Sequence, residues 1–586
     1  MSSAVPQAET TQLTLGSSHR RGVRGLVGAL ELACVVLASA AALYVIASTI
    51  LMVADNALAL PFSDQWGQLI FTPQQVLSSW LYSQDNEHRI LFPRLIFAID
   101  TFLFHESNDF GYFCNIAITF ALALLLTAVA ARDLTSRSDR VWAGAAVFVL
   151  LFSAMQWENF ALGYNVGFFL VELAAVASFT LVASGTPTSR KLAGAVGCEA
   201  IAVYSLASGI MVPFIALALA IWLRRPRTHL AVLAVAAFAL AASYLNGYVT
   251  PQYHSDPLGF YQYPGAIAAY VISEIGNPVG AIIRPWTPSN YLSWTQVCGA
   301  IGIALFTLAV VSMLRRGKAI GVSGPIFVAT AAFVLGTALL TALGRVRFGP
   351  DQATSSRYST VVLLFWAAMG LIGFVAVARR YPVPRLAAMS LGLFCLGTVA
   401  MGQPRFVREG TEWILPRREA TTALLANVLD PETLAKVYPD IPKLLEFAAQ
   451  LRARHLSLFG DPWSGWVGTP LSEHARIADQ SRCRGAVTVA TRLPGSDRPG
   501  WRASGWAWDN DREAAADKIV MTDETGRVIG YGLAGFAPDT VELPHRKGWK
   551  RSGWHGHFAA PEARSAIAYA LVDKERMACR LSASSG

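Results

Sequence analysis

GLVGALELACVVLASAAALYVIASTILMV (Gly25–Val53) is uncharged apart from Glu31. The polar loop after it holds PFSDQW (Pro61–Trp66) and DNEHR (Asp85–Arg89). The apolar run exceeds the ~20 residues that cross the hydrocarbon of a bilayer. It is also far longer than the h-region of a cleavable signal, and no small-residue cleavage site follows. It reads as a first transmembrane helix. His19, Arg20, Arg21 and Arg24 precede it, which places the N-terminus in the cytoplasm by the positive-inside rule. The loop 54–110 is then delivered to the outer face.

The remaining chain extends this reading. Of 586 residues, 53% are hydrophobic and only 15% charged, against about 25% charged in soluble domains. The shortfall lies before Pro404. Eleven spans are expected, at 26–53, 111–131, 141–156, 163–183, 192–207, 209–223, 229–247, 294–314, 324–343, 358–378 and 386–401. Each loop assigned inside is basic, including Arg224-Arg225-Pro226-Arg227 and Arg315-Arg316-Gly317-Lys318. Residues 248–293, with Tyr253, His254, Asp256, Tyr261 and Tyr263, read as an outer loop with partly embedded helices. Its apolar piece is broken by Glu274, Asn277 and Pro278.

The expected organisation is a disordered cytoplasmic N-terminus (1–24), a polytopic α-helical membrane domain (25–402), a helical linker region (403–480) and a β-sandwich-like domain outside the membrane (481–586). The last assignment rests on alternating stretches such as KIVMTD and RVIGYGLAG between Gly, Pro and Asp turns. The net charge of +9 sits in loops with no aromatic-interleaved basic stripe, which argues against nucleic acid as a partner. Five cysteines stand singly in apolar runs. Cys483 and Cys579 bracket the C-terminal domain and are disulfide candidates if that domain meets an oxidising compartment.

Chemistry is expected where polar residues interrupt the hydrocarbon. Asp64, between aromatic rings at the membrane boundary and beside Gln65 and Trp66, is a candidate general base; a helix N-cap is the alternative. Asp85, Glu87, His88 and Arg89 combine an imidazole with both charge signs, suited to moving a proton and gripping a phosphate; a solvated capping loop is the alternative. Arg345, Arg347, Arg357 and Tyr358 lie in a loop assigned outside, where arginine is disfavoured. Anion binding explains them, as does pairing with Asp351 or with the acids of the first loop. Glu158 lines the same side or caps a span. Glu31, Glu172 and Glu199 fall within spans, where acids usually face the bundle interior. No His/Asp/Cys spacing matches a structural zinc site.

This layout resembles the GT-C superfamily of membrane glycosyltransferases, with an N-in first span, a long first outer loop carrying an acid, and a soluble C-terminal domain. Asp64 in PFSDQW stands where that family's catalytic acid is expected. Many members have two adjacent acids there; here Gln65 follows, leaving Asp55, Asp85 and Glu87 as rival bases. The resemblance implies a bacterial inner-membrane enzyme with its C-terminal domain in the periplasm. It implies inverting transfer of a sugar from a polyprenyl-phosphate donor to an envelope glycan or lipid acceptor. Arg345 and Arg357 would meet the donor phosphate, and Asp64, with Glu87 or His88, would deprotonate the acceptor. No cofactor is called for, although some relatives use a divalent metal. The rival classes are a lipid-linked glycan carrier or flippase, and a non-catalytic membrane scaffold whose C-terminal Trp501, Trp506, Trp508, Trp549 and Trp554 stack on sugars.

Overall fold

The computed structural model describes residues 9–251, 262–316, 321–378, 382–494, 499–538 and 548–583. Tyr253, His254, Asp256, Tyr261, Lys318, Arg379 and Arg380 lie outside them. The chain divides into two compact units, each assembled from separated segments. The first takes the residues up to Asp55, Ser79–Pro93 and Phe113–Glu409; the second takes Asn56–Ser78, Arg94–Tyr112 and Gly410–Gly586. The first outer loop is thus shared between the two.

In the first unit, among the described residues, ten helices are long and apolar enough to cross a membrane. These begin with Gly25–Asn56 and end with Pro384–Ala426, which continues into the second unit. The helices Arg137–Phe160, Gly163–Ala183, Gly324–Phe348 and Ser356–Ala378 are mostly buried within the bundle. Phe152, Phe179, Phe327, Phe333 and Phe365 interlock among them.

Three features depart from the expected layout. The first helix begins at Glu9, so residues 9–24 are helical; residues 1–8 lie outside the described ones. The expected spans 192–207 and 209–223 are short helices, Ser189–Val203 and Val212–Trp222, joined by a 3-10 turn. The apolar piece expected to be only partly embedded is one continuous helix, Pro264–Ile283, with Pro278 inside it. It packs on Tyr291–Arg316 so closely that a Cβ at Gly276 would strike the Thr295 carbonyl, and one at Gly299 the Ile272 carbonyl. That backbone approach favours pairing two helices over leaving a broken loop.

Several charges at or near the span ends of this unit have partners. Arg385 pairs with Glu31 and with Asp139 at 3.6 Å. Asp133 accepts from the Ser323 N–H at 2.7 Å and the Val322 N–H at 3.0 Å, tying one helix end to the start of another.

In the second unit, the end of the long helix and the helix Ile441–Ala453 pack with Leu60, Trp66 and Leu69 around Leu434, Leu444, Leu451 and Tyr531. The strands are best numbered after the short hairpin of the first unit, β1 (Gln84–Asp85) and β2 (His88–Arg89). They are β3 (Arg476–Ile477), β4 (Cys483–Arg492), β5 (Gly500–Asp509), β6 (Ala514–Ala515), β7 (Lys518–Thr522) and β8 (Val528–Phe536), followed by β9 (Gly553–Ala559), β10 (Ile567–Val572), β11 (Met577–Arg580) and β12 (Ser582–Ala583).

The order β12-β4-β5-β9-β8-β7-β10-β11-β3 is one mostly antiparallel hydrogen-bonded sheet, with β6 paired to β5 beside it. Only Leu581 separates β11 from β12, yet β11 pairs with β10 and β12 with β4. The sheet must therefore curl until its ends meet, and Cys483 on β4 is disulfide-bonded to Cys579 on β11 across that seam, with Cα atoms 6.2 Å apart. Trp506, Trp508 and Trp554 are buried, and Trp501 stacks on Phe558 at 6.2 Å. These rings pack the rolled sheet.

Candidate active site

The DNEHR segment folds as a two-residue hairpin, with Gln84 opposite Arg89 and Asp85 opposite His88. Asn86 takes a φ of +46° in the turn, a conformation that asparagine tolerates better than most residues. Three contacts fix the hairpin. The Gln84 side chain donates to the Val249 carbonyl at 2.6 Å and accepts from its N–H at 3.0 Å. The Tyr244 hydroxyl donates to the Glu87 carbonyl at 2.6 Å. Arg89 is buried and donates to the carbonyls of Tyr244, Asn246 and Tyr82 at 2.7, 2.5 and 3.0 Å. Its guanidinium, expected to meet substrate, is committed to carbonyls at the end of the Arg227–Leu245 helix, where a cation is stabilising.

The clamped hairpin presents Glu87 and His88. Glu87 Oε1 lies 3.4 Å from Arg345 Nη2 and 3.6 Å from His88 Nε2. The Ala207 N–H donates to His88 Nδ1 at 3.1 Å, so Nδ1 carries a lone pair and the ring proton sits on Nε2, facing Glu87. At 3.6 Å that contact is longer than a hydrogen bond. Asp85 accepts from the Tyr164 hydroxyl at 3.0 Å.

A second acid–arginine pair joins Glu158 Oε1 to Arg357 Nη2 at 2.6 Å. Asn159 holds it in place. Its amide donates to the Arg357 carbonyl at 2.8 Å and to Thr360 Oγ1 at 2.7 Å, while Asn165 donates to its carbonyl oxygen at 2.9 Å. The turn after Arg137–Phe160 is thereby bolted to the start of Ser356–Ala378. Tyr358, buried there, is hydrogen-bonded to Tyr270 and lies within electrostatic range of Arg345, Arg357 and Glu274. Arg347 is exposed. Asp351, the alternative partner for these arginines, accepts instead from the Tyr291 hydroxyl at 2.7 Å.

Asp64, Gln65 and Trp66 belong to the second unit. Asp64 is exposed on a short 3-10 helix, Ser63–Gln68. Gln65 is buried; its carbonyl oxygen accepts from the Phe62 N–H and its amide donates to Asn108 Oδ1 at 2.5 Å. Trp66 is fully buried and stacked on Phe447 at 6.3 Å. These two positions hold the fold of the loop, and Asp64 alone of the three faces solvent. Among the described residues no group of three or more His, Cys, Asp or Glu side chains is placed to hold a metal ion.

No protein-family model and no curated protein matches this sequence. Among solved structures, the chain is similar to the archaeal oligosaccharyltransferase AglB from Archaeoglobus fulgidus, solved in complex with an inhibitory peptide and a dolichol-phosphate. Identity is 13% and the TM-score 0.39, over 75% of this chain and 65% of that one. The chain thus spans just under two thirds of the AglB length.

Several residues that organise the site were not singled out from the sequence. Tyr244 and Val249 grip the hairpin, the Ala207 N–H sets the His88 tautomer, and Tyr164 and Tyr270 supply hydroxyls. Backbone donors carry no sequence signal. A tyrosine near a span end reads as a membrane-belt anchor until its partner is known. Glu274 carries a signal, an acid inside an apolar run, but beside Asn277 and Pro278 it reads as a break in that run.

Proposed function

We propose that this protein is an integral membrane glycosyltransferase of GT-C type. It would move a sugar, with inversion, from a polyprenyl-phosphate donor to an envelope glycan or lipid acceptor at the outer face of a bacterial inner membrane. The observation that carries the reading is the clamped hairpin that holds Glu87 against Arg345. That pair is partly exposed and long, the kind of ion pair worth at most about 1 kcal/mol. A donor phosphate offers Arg345 a doubly bonded, charge-assisted contact, so it would displace Glu87 from the guanidinium. The freed carboxylate, beside His88, would take the proton of the acceptor hydroxyl. That oxygen would attack the anomeric carbon as the lipid phosphate leaves, and Arg345, with Arg357 and Arg347, would stabilise the phosphate charge. Donor binding and base release would thus be one event. Asp64 stays as the rival base, being an exposed acid of the same loop.

The test is a transfer assay on protein in lipid, given a panel of polyprenyl-phosphate sugars. Polyprenyl phosphate release by the wild type is expected to fall by 10² or more in Glu87→Gln and Arg345→Ala. Loss in Asp64→Asn with Glu87→Gln unaffected would move the base to Asp64. Acids buried inside helices, Glu172 and Glu199, favour a second reading, a lipid-linked glycan carrier. Saturable donor binding lost in Arg345→Ala, with no turnover of any donor, would select it.

A further inference from the structure

Near the middle of the Pro264–Ile283 helix, Glu274 is fully buried, and neither of its carboxylate oxygens has a hydrogen-bond partner. Asn277, one turn further on, is also fully buried. Its amide nitrogen donates to the Ser355 carbonyl at 3.3 Å and to Ser359 Oγ at 3.0 Å. Those contacts fix which way the amide faces, and its Oδ1 is left with no donor. Pro278 follows inside the helix. Proline has no N–H, and the carbonyl it leaves without its helical bond is that of the residue four positions earlier, which is Glu274. One residue therefore offers two side-chain oxygens and a released main-chain oxygen, and Asn277 adds another.

All of these atoms are acceptors. Buried polar groups are almost always satisfied, and an unmet cluster of one kind calls for a complementary group. The donors packed here are engaged elsewhere or do not reach it: the Tyr270 hydroxyl, within electrostatic range of Glu274 as Tyr358 is, donates to Gln352 Oε1 at 3.1 Å, and neither tyrosine is bonded to the Glu274 carboxylate. The Thr295 hydroxyl donates to the Tyr291 carbonyl at 2.7 Å, Gln296 donates to Ser273 at 3.2 Å, and Trp366 donates to the Ile275 carbonyl at 2.9 Å. Arg345 is engaged by Glu87, and Arg357 by Glu158. Hard oxygen donors suit a hard cation. A single carboxylate among neutral carbonyls carries one negative charge, so a monovalent ion leaves the buried site neutral where a divalent ion would not. A proton on Glu274 would turn one oxygen into a donor with no bonded acceptor and leave the other oxygens unmet.

We propose that Glu274, Asn277 and the carbonyl released by Pro278 form a binding site for a monovalent alkali cation within the membrane domain. The site adjoins the Glu158–Arg357 pair through Ser355, whose carbonyl accepts from Asn277 and whose hydroxyl donates to Glu158 at 3.4 Å, but the proposal does not depend on the glycosyltransferase reading. Carbonyls freed from helical bonds serve sodium in this way at broken helices of secondary transporters.

The test uses the full chain in lipid nanodiscs. Binding of radiolabelled sodium is counted directly, and melting is followed in sodium, potassium or N-methylglucamine chloride at constant ionic strength and pH. The wild type is expected to bind sodium saturably, in competition with potassium or not, and to melt at higher temperature in it than in N-methylglucamine. Glu274→Gln should abolish both effects, and Asn277→Ala should weaken apparent sodium affinity at least tenfold. If Glu274→Gln does not fold, the wild type and Asn277→Ala still decide. No sodium binding by the wild type, or binding unchanged in the variants, overturns the proposal. Melting that follows pH and not sodium, with that response lost in Glu274→Gln, assigns a proton and overturns it as well.

Discussion

Asp430→Ala should loosen the C-terminal sheet by an amount that can be worked out from its contacts. Asp430 is buried at the start of a short helical turn, accepting from the Thr433 N–H at 3.3 Å and its hydroxyl at 2.9 Å. It also meets Arg502 through Nε at 3.0 Å and Nη2 at 2.8 Å, and the fully buried His557 through Nε2 at 2.9 Å. Alanine removes a cap, costing about 1 kcal/mol. It also breaks a buried charge pair, for which the range is about 3–5 kcal/mol. The lower end applies because Arg502 keeps Glu432 at 3.1 Å and Glu419 at 3.7 Å and is partly exposed.

The sum is about 4 kcal/mol, a factor of roughly 10³ in an opening equilibrium at about 1.4 kcal/mol per tenfold. Hydrogen exchange of the full chain, read by mass spectrometry over β5 and β9, should show protection falling by about that factor. Asp430→Asn keeps the cap and should fall between. A change under tenfold in the alanine variant would refute the reasoning. The pH sense is fixed too. Burial works against the Asp430 charge, but the His557, Arg502 and Thr433 hydrogen bonds outweigh it and hold the carboxyl well below its ordinary value of 3.8. Its stabilisation is therefore complete above about pH 4 and is lost only as pH falls further.

Glu106 should act with the opposite sign. Burial, set against the Thr101 hydroxyl that donates to it, pushes its carboxyl from 4.5 up to about 8. The folded chain holds this proton while the unfolded chain releases it, so stability should fall as pH rises from about 4.5 to 8. At about 1.4 kcal/mol per unit this costs roughly 3 kcal/mol by pH 7. Melting curves of Glu106→Gln should lose that slope; wild-type and variant curves that run parallel would reject the assignment. Cys483→Ser should cost about 4–5 kcal/mol by the chain-entropy estimate for its 96-residue separation, read as the urea midpoint of the C-terminal sheet with and without reductant. Arg89→Ala should release the hairpin, and under the proposed mechanism lower kcat more than KM, because Arg89 positions Glu87 without touching substrate. Equal loss in both would argue that its side chain contacts substrate.

The legibility of this chain follows the range of the forces involved. Apolar runs were readable because crossing a bilayer is a one-dimensional requirement, and Gly25–Asn56 or Ser356–Ala378 satisfies it within its own residues. The paired strands of the C-terminal region were readable from alternation, but the closure of the sheet was not. That closure depends on Leu581 carrying the chain from β11 to β12, with partners at opposite ends of the sheet. The acids divide in the same way. Glu87 and Glu158 are legible because each stands in a polar stretch beside a span; the alternative pairing of the arginines with a first-loop acid is the contact Glu87 makes, whereas the Glu158–Arg357 pair joins two later turns and has no sequence signal. Arg89 reads as a phosphate ligand of its motif, and backbone carbonyls supplied by residues 82, 244 and 246 take three of its five N–H donors. A guanidinium in a polar loop beside a span gives the same sequence signal whether it faces a ligand or a helix end.

Glu274 is the converse case. Its position inside an apolar run is the strongest functional signal an acid can give, but Asn277 and Pro278 beside it made the segment read as a break. The same three residues that weaken the helix as a span also supply the unmet oxygens. A broken apolar run with an acid, an amide and a proline at this spacing should therefore be read first as a site, and the Asn277→Ala sodium titration tests that rule directly.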